Sequence, residues 1–80
     1  MTPEELKRLI EAEFGDGYVE VTGDGRHFSA VVVSDSFAGK NPIAQHRMVY
    51  SALGDRFDTD AVHALSLKTY TPEQWQALKR

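Results

Sequence analysis

The spacing of apolar residues changes several times along the chain, and each change marks an element. Leu6, Leu9, Ile10 and Phe14 recur at the three- and four-residue steps of one helical face. Thr2 and Pro3 ahead of them read as N-cap and first helical position, with Glu5 placed to close a capping box. Gly15-Asp16-Gly17 stops that helix. The period then shortens to two, with Val19 and Val21 on one face of a strand over Tyr18–Thr22. Phe28–Ser34 is richer, and its run Val31-Val32-Val33 predicts a central strand that is apolar on both faces. Gly23-Asp24-Gly25-Arg26 joins the two strands as a hairpin.

Ser34–Asn41 is polar and reads as a loop. Asn41-Pro42 repeats the N-cap and first-position pair, so a helix is predicted from Pro42 to about Leu53. On its wheel Ile43, His46, Val49, Tyr50 and Leu53 share one side, and Arg47 and Ser51 lie opposite. Gly54-Asp55 ends it. Arg56–Ala61 reads as a short irregular or single-turn segment. Val62–Tyr70 alternates again, with His63, Leu65, Leu67 and Thr69 on one face. Thr71-Pro72-Glu73-Gln74 is the same helix-start signal as at the N-terminus, and opens a closing helix that carries Trp75 and Leu78.

The predicted order is α-β-β-α-(short α)-β-α. A hairpin makes the first two strands antiparallel. A helical crossover makes the third parallel to the second. The expected fold is α+β, a three-stranded mixed sheet covered on one face by helices.

Eighty residues bound the chain to one small domain, residues 1–80, with a thin stability margin. The longest apolar run, Ala30–Val33, is far too short to span a bilayer. The acidic, amphipathic start is unlike a secretory leader, so a cytosolic protein with no membrane role is expected. A net charge of −3 argues against a strong sequence-independent grip on nucleic acid, though not against a local basic patch. The sequence contains no cysteine. It offers no disulfide and no thiolate, so any metal must be held by histidine, carboxylate or a partner's ligands.

Topology draws attention to two of the three histidines. Parallel neighbours start at the same end of a sheet. His27 immediately precedes the second strand and His63 sits at the start of the third, so adjacent strands about 4.8 Å apart would bring them together. Two such imidazoles could bind one metal ion or one iron of a cluster. A loop histidine is ordinarily solvated, and one at a strand start often bonds a carbonyl. The residues alone leave both readings open. His46, within the apolar arc of its helix, reads as a packing residue. No GxSxG, HExxH, Walker A or GxGxxG motif is present, and Asp24 and Asp35 lack a base or nucleophile partner. The chain is not expected to be an enzyme.

Three stretches carry a resemblance to a known family. GDGRHF before a valine-rich strand, then VSDSFAGKNPIAQHRMVYSALGD, then VHALSLKTYTPEQW, resemble the BolA family, and GDGRHF is most similar to its IbaG-like branch. The likeness runs from about Glu5 to Trp75. It implies a KH-like, type II-like α+β fold. It also implies pairing with a monothiol (CGFS-type) glutaredoxin and a shared bridging [2Fe–2S] cluster. The glutaredoxin and glutathione would supply thiolates. The BolA side would supply the histidine of the HAL segment, here His63, and a second ligand from the loop before the second strand, here His27. Thiolates on one iron and imidazoles on the other make a Rieske-like division. The isolated chain is expected to carry no cluster and to be a monomer or weak homodimer.

Arg26, beside His27, is a candidate contact for the glutaredoxin surface or glutathione carboxylates. Lys40 is a candidate partner contact, and so is Phe37 if exposed; otherwise Phe37 packs beneath its loop. Some BolA relatives are described as transcriptional regulators, which makes a KH-like DNA-binding role in stress response or morphology the competing class. Lys40, Arg47 and Lys68 would form its basic patch. Against it, AGKN at Ala38–Asn41 lacks the GxxG of KH domains that bind single strands. Gln45 stands where many relatives have arginine, which would thin a basic face further.

Overall fold

A computed structural model describes residues 2–54 and 65–79. The order is α1 (Pro3–Phe14), β1 (Tyr18–Gly23), β2 (Phe28–Val33), a single 3-10 turn (Asp35–Phe37), α2 (Pro42–Leu53), β3 (Leu65–Tyr70) and α3 (Pro72–Leu78). The expected turn at Arg56–Ala61 and the first residues of the expected third strand lie outside the described residues.

The sheet order is β1-β2-β3. β1 runs antiparallel to β2, with Val19 opposite Val32 and Gly23 opposite Phe28. β3 runs parallel to β2, with Phe28 opposite Leu65 and Val33 opposite Tyr70. The valine-rich strand is therefore the central one, as its two-sided apolar pattern requires. α1 and α2 lie on one face. Leu6, Ile10 and Phe14 from α1 and Val49 and Leu53 from α2 pack on Val19, Phe28, Ala30, Val32 and Leu65 from the sheet.

Each helix begins at the N-cap its sequence marks, but at α1 only the Thr2 half of the capping box expected with Glu5 forms. Thr2 Oγ1 accepts from Glu5 N–H at 3.2 Å, and Asn41 Oδ1 accepts from Ala44 N–H at 2.8 Å. The reciprocal capping box forms at α3, where Thr71 N–H donates to Gln74 Oε1 at 2.9 Å and Gln74 N–H donates to Thr71 Oγ1 at 3.3 Å. These caps satisfy amides that have no partner inside the helix.

Three features depart from the predicted pattern. First, the segment from Ser34 to Asn41 is not merely a polar loop. Phe37 is fully buried, with its ring 5.2 Å from that of Phe14, and Ser34 is fully buried beside it. Second, α2 is rolled by roughly a quarter turn from the expected arc. It buries Gln45, Val49 and Leu53 and leaves Ile43 outside at 66% exposure. Third, α3 does not join the helical layer. Tyr18, Val33 and Tyr70 form one row across the sheet on the face that α1 and α2 leave open. The Trp75 ring lies 5.5 Å from both Tyr18 and Tyr70 over that row. One indole thus closes the finishing end of the open face. Lys79 Nζ extends that stack, 5.1 Å from the indole centroid.

The turn after α1 is fastened to the segment after β2. Asp16 Oδ1 accepts from Ser34 Oγ–H and its Oδ2 from Asp35 N–H, both at 2.9 Å. A side chain at Gly17 would lie 1.8 Å from the Val33 carbonyl oxygen, so this approach requires glycine. Ser34 N–H in turn donates to Tyr70 O at 3.0 Å. The Gly15-Asp16-Gly17 helix stop is thus also a tertiary junction.

Candidate functional site

The hairpin loop between β1 and β2 is built by a single carboxylate. Asp24 Oδ1 accepts from Arg26 N–H and from His27 N–H, each at 2.8 Å, and Asp24 N–H closes the loop on His27 O at 3.2 Å. This arrangement forces the intervening residue into the left-handed region, and Gly25 has φ +94°. The amides of His27 and then Arg26 hold the Asp24 carboxyl below the usual carboxylate range. The backbone of His27 is therefore fixed through both its N–H and its C=O, while the residue itself is exposed. The loop presents an imidazole to solvent from a pinned main chain.

Phe28 pairs with Leu65 in parallel register, so β2 and β3 start at the same end of the sheet. His27 stands at that end, as the strand order predicts. His63 lies outside the described residues. Among the described residues, no three His, Cys, Asp or Glu side chains gather into a metal-binding group. Arg26 is exposed in the same loop, next to His27.

The other candidates are placed elsewhere. Lys40 is exposed at the opposite end of the sheet, beyond the finish of β2 and β3, about 17 Å away along the strand. It does not share a surface with Arg26. Of the two readings of Phe37, exposed partner contact or packing beneath its loop, the structure shows the second: the side chain is fully buried against the Phe14 ring, so it is not a surface contact. The proposed basic patch is dispersed. Lys40 lines a cleft beside α3, Arg47 lines another with Glu13 and Met48, and Lys68 lies on the open sheet face in one row with Glu20 and Val31. His46 is half-buried on α2, in keeping with a packing role.

Gln45 is the residue that sequence reasoning misplaced. It is 5% exposed, not part of a solvated face. Its Nε2 donates to Phe37 O at 3.1 Å and to Lys40 O at 2.7 Å, and its Oε1 accepts from Thr69 Oγ1–H at 2.6 Å. One amide thereby ties the 3-10 segment, α2 and β3 together. The signal was available: Gln45, Val49 and Leu53 are spaced as one helical stripe, but a polar residue concealed its start.

The chain is an α+β domain with an antiparallel hairpin, a parallel third strand and a histidine-bearing loop at the sheet's start. The family model for BolA-like proteins matches residues 3–74, and the chain belongs to that family. It is 36% identical over 89 residues to the DNA-binding transcriptional regulator BolA of Escherichia coli, covering 99% of this chain and 84% of that one. It is 37% identical over 57 residues to the acid stress protein IbaG of Escherichia coli, covering 71% and 68%. Among solved structures, a BolA homologue from Coxiella burnetii superposes with TM-score 0.76 at 43% identity, covering 95% of this chain and 97% of that one. The BolA domain of SufE1 from Arabidopsis thaliana superposes with TM-score 0.72 at 32% identity, covering 89% and 92%. No helix among the described residues is long and apolar enough to cross a membrane.

Proposed function

We propose that this BolA-family chain is an accessory protein that pairs with a monothiol glutaredoxin. With glutathione, the pair would ligate a bridging [2Fe–2S] cluster through His27 and His63, in iron–sulfur cluster trafficking or in iron and redox sensing. The observation that carries the reading is the pinned loop. Asp24 fixes the main chain on both sides of His27 and leaves its imidazole exposed where β2 and β3 begin.

When bound, such a cluster would supply one-electron redox chemistry. This chain's own part lies in the loop. Asp24 sets the loop, Gly25 permits it, and His27 offers nitrogen where a thiolate would otherwise be needed in a chain without cysteine. Imidazole ligates in its neutral form, so acid favours release. Arg26 adds positive charge beside the loop for an acidic partner surface or for glutathione carboxylates.

Anaerobic reconstitution of the glutaredoxin with iron, sulfide and glutathione tests the reading. Adding this chain is expected to change the visible circular dichroism of the glutaredoxin cluster. A spectrum that stays the same on addition contradicts it. The DNA-binding reading has a named relative behind it. The scatter of Lys40, Arg47 and Lys68 over three surfaces supports no single phosphate-facing stripe. No retention of duplex DNA is expected at low salt, and retention there would favour the regulator instead.

A further inference from the structure

The sequence contains the tripeptide Gly-Asp-Gly twice, at Gly15-Asp16-Gly17 and at Gly23-Asp24-Gly25. An Asp-Gly bond is the least hindered place in a polypeptide for a main-chain nitrogen to attack the preceding side chain, because glycine has no Cβ to block the approach. Both aspartates and both following glycines are exposed, so local sequence and solvent access are alike. Their fastenings differ. Asp16 is held through both carboxylate oxygens by partners 18 and 19 residues away. Gly17 lies so close to Val33 that a Cβ there would come within 1.8 Å of the carbonyl oxygen. Asp24 is held, among the described residues, through Oδ1 alone, by amides two and three residues away. No atom lies within 4 Å of the place that a Gly25 Cβ would occupy. Freeing the Asp24 carboxylate therefore opens only its own hairpin loop, whereas freeing Asp16 undoes a tertiary junction.

We infer that Asp24-Gly25 is a site of spontaneous covalent modification, where the chain rearranges to an isoaspartyl linkage, and that the fold protects Asp16-Gly17 from the same reaction. In the first step the Gly25 nitrogen bonds to Asp24 Cγ and closes a succinimide ring. One carboxylate oxygen leaves as water, taking the Gly25 N–H proton and one proton from solvent. In the second step water adds to the former main-chain carbonyl of Asp24, and the bond from that carbon to the Gly25 nitrogen breaks. The nitrogen recovers a proton, and the other returns to solvent. One water leaves and one enters, nothing is oxidised or reduced, and the mass is unchanged. The main chain then runs through Asp24 Cβ and Cγ and is one atom longer, and the free carboxylate sits on Cα. The carboxylate that fixed Arg26 N–H and His27 N–H has become part of the main chain, so the native pinning of His27 is lost. The inference stands whether or not His27 ligates a cluster; where it does, the rearrangement retires that ligand as the protein ages.

The test ages the full chain in warm, neutral buffer, beside a second sample aged in enough urea to unfold it. Cleavage after glutamate and after basic residues places Asp16 in peptide 14–20 and Asp24 in peptide 21–26. Isoaspartyl forms separate chromatographically at unchanged mass, are located by electron-transfer fragmentation, and accept a methyl group from protein isoaspartate methyltransferase. In the folded sample the isoaspartyl form is expected to accumulate in peptide 21–26, while peptide 14–20 keeps its ordinary linkage. In urea that contrast should be lost, because the two tripeptides are identical. Ser34→Ala, which removes the partner of Asp16 Oδ1, is expected to bring product into peptide 14–20 and leave peptide 21–26 unaltered. In the aged folded chain, nitrogen–proton correlation NMR should show a second set of signals for the Arg26 and His27 amides. The proposal is overturned by an absence of product in peptide 21–26, or by equal accumulation at the two sites in the folded chain. A contrast that persists in urea also overturns it, because the fold is then not what separates the two sites.

Discussion

The two ends of the sheet are each organised by an aspartate, and the two work at different ranges. At the starting end, Asp24 bonds to amides two and three residues away. At the finishing end, Asp16 bonds to Ser34 and Asp35, 18 and 19 residues away. The first builds a loop and leaves its functional residue outside. The second joins α1, β2 and, through Ser34 N–H and Tyr70 O, β3. One end is a presentation device and the other is a structural knot. Stability and proposed function are therefore separable, and substitutions at the two ends should divide accordingly.

The largest loss is expected at the knot. Phe37→Ala removes a fully buried ring that packs on Phe14 and should cost about 3–5 kcal/mol. A domain this small has little more than that to lose, so urea denaturation should show a largely unfolded variant. Gln45→Ala comes next. It removes the partner of the Thr69 hydroxyl and of the Lys40 carbonyl and one of the two bonds to the Phe37 carbonyl, which keeps Lys40 N–H, a loss of about 2–3 kcal/mol, visible as a lowered urea midpoint with an unchanged slope. A midpoint close to wild type would show that water replaces the amide and that the knot is weaker than its geometry implies.

These two residues also mark where the sequence stops being legible. Element order, caps and hairpin follow from short-range spacing, because each depends on residues within a turn or a strand of one another, and the parallel third strand follows from that order through the helical crossover. Asp24 was legible as a turn for the same reason. The burial of Phe37, the roll of α2 onto Gln45 and the reach of Asp16 to Ser34 are not local. They are decided by which surfaces meet after the chain has folded, and a polar residue such as Gln45 gives no apolar signal of burial. The candidate site divides in the same way. His27 and Arg26 stay together because one loop holds them. Lys40 separates from them because the intervening strand carries it to the other end.

Acid should act on both ends in the same direction and by a smaller amount. Asp35 N–H and then the Ser34 hydroxyl hold the Asp16 carboxyl below its ordinary value, and the amides of His27 and Arg26 do the same for Asp24. A carboxyl depressed in the folded state contributes stability above its unfolded pKa, near 3.9 for aspartate, and loses it as pH falls through the folded value. Urea midpoints should therefore be level at neutral pH and decline below about pH 4. Asp16→Asn and Asp24→Asn should each flatten part of that decline. A decline that both variants retain in full would place the acid sensitivity elsewhere.

The smallest effect on stability is expected for His27→Cys, since the side chain is exposed and the bonds that set the loop are made by its main chain. The same variant is the most direct test of the proposed role. In the reduced heterodimer with glutaredoxin, pulsed electron paramagnetic resonance on protein carrying nitrogen-15 histidine reads the imidazole nitrogens bound to iron. The account predicts couplings from two imidazoles in the wild type and from one in His27→Cys, with the urea midpoint unchanged. Two couplings that persist in the variant would contradict it.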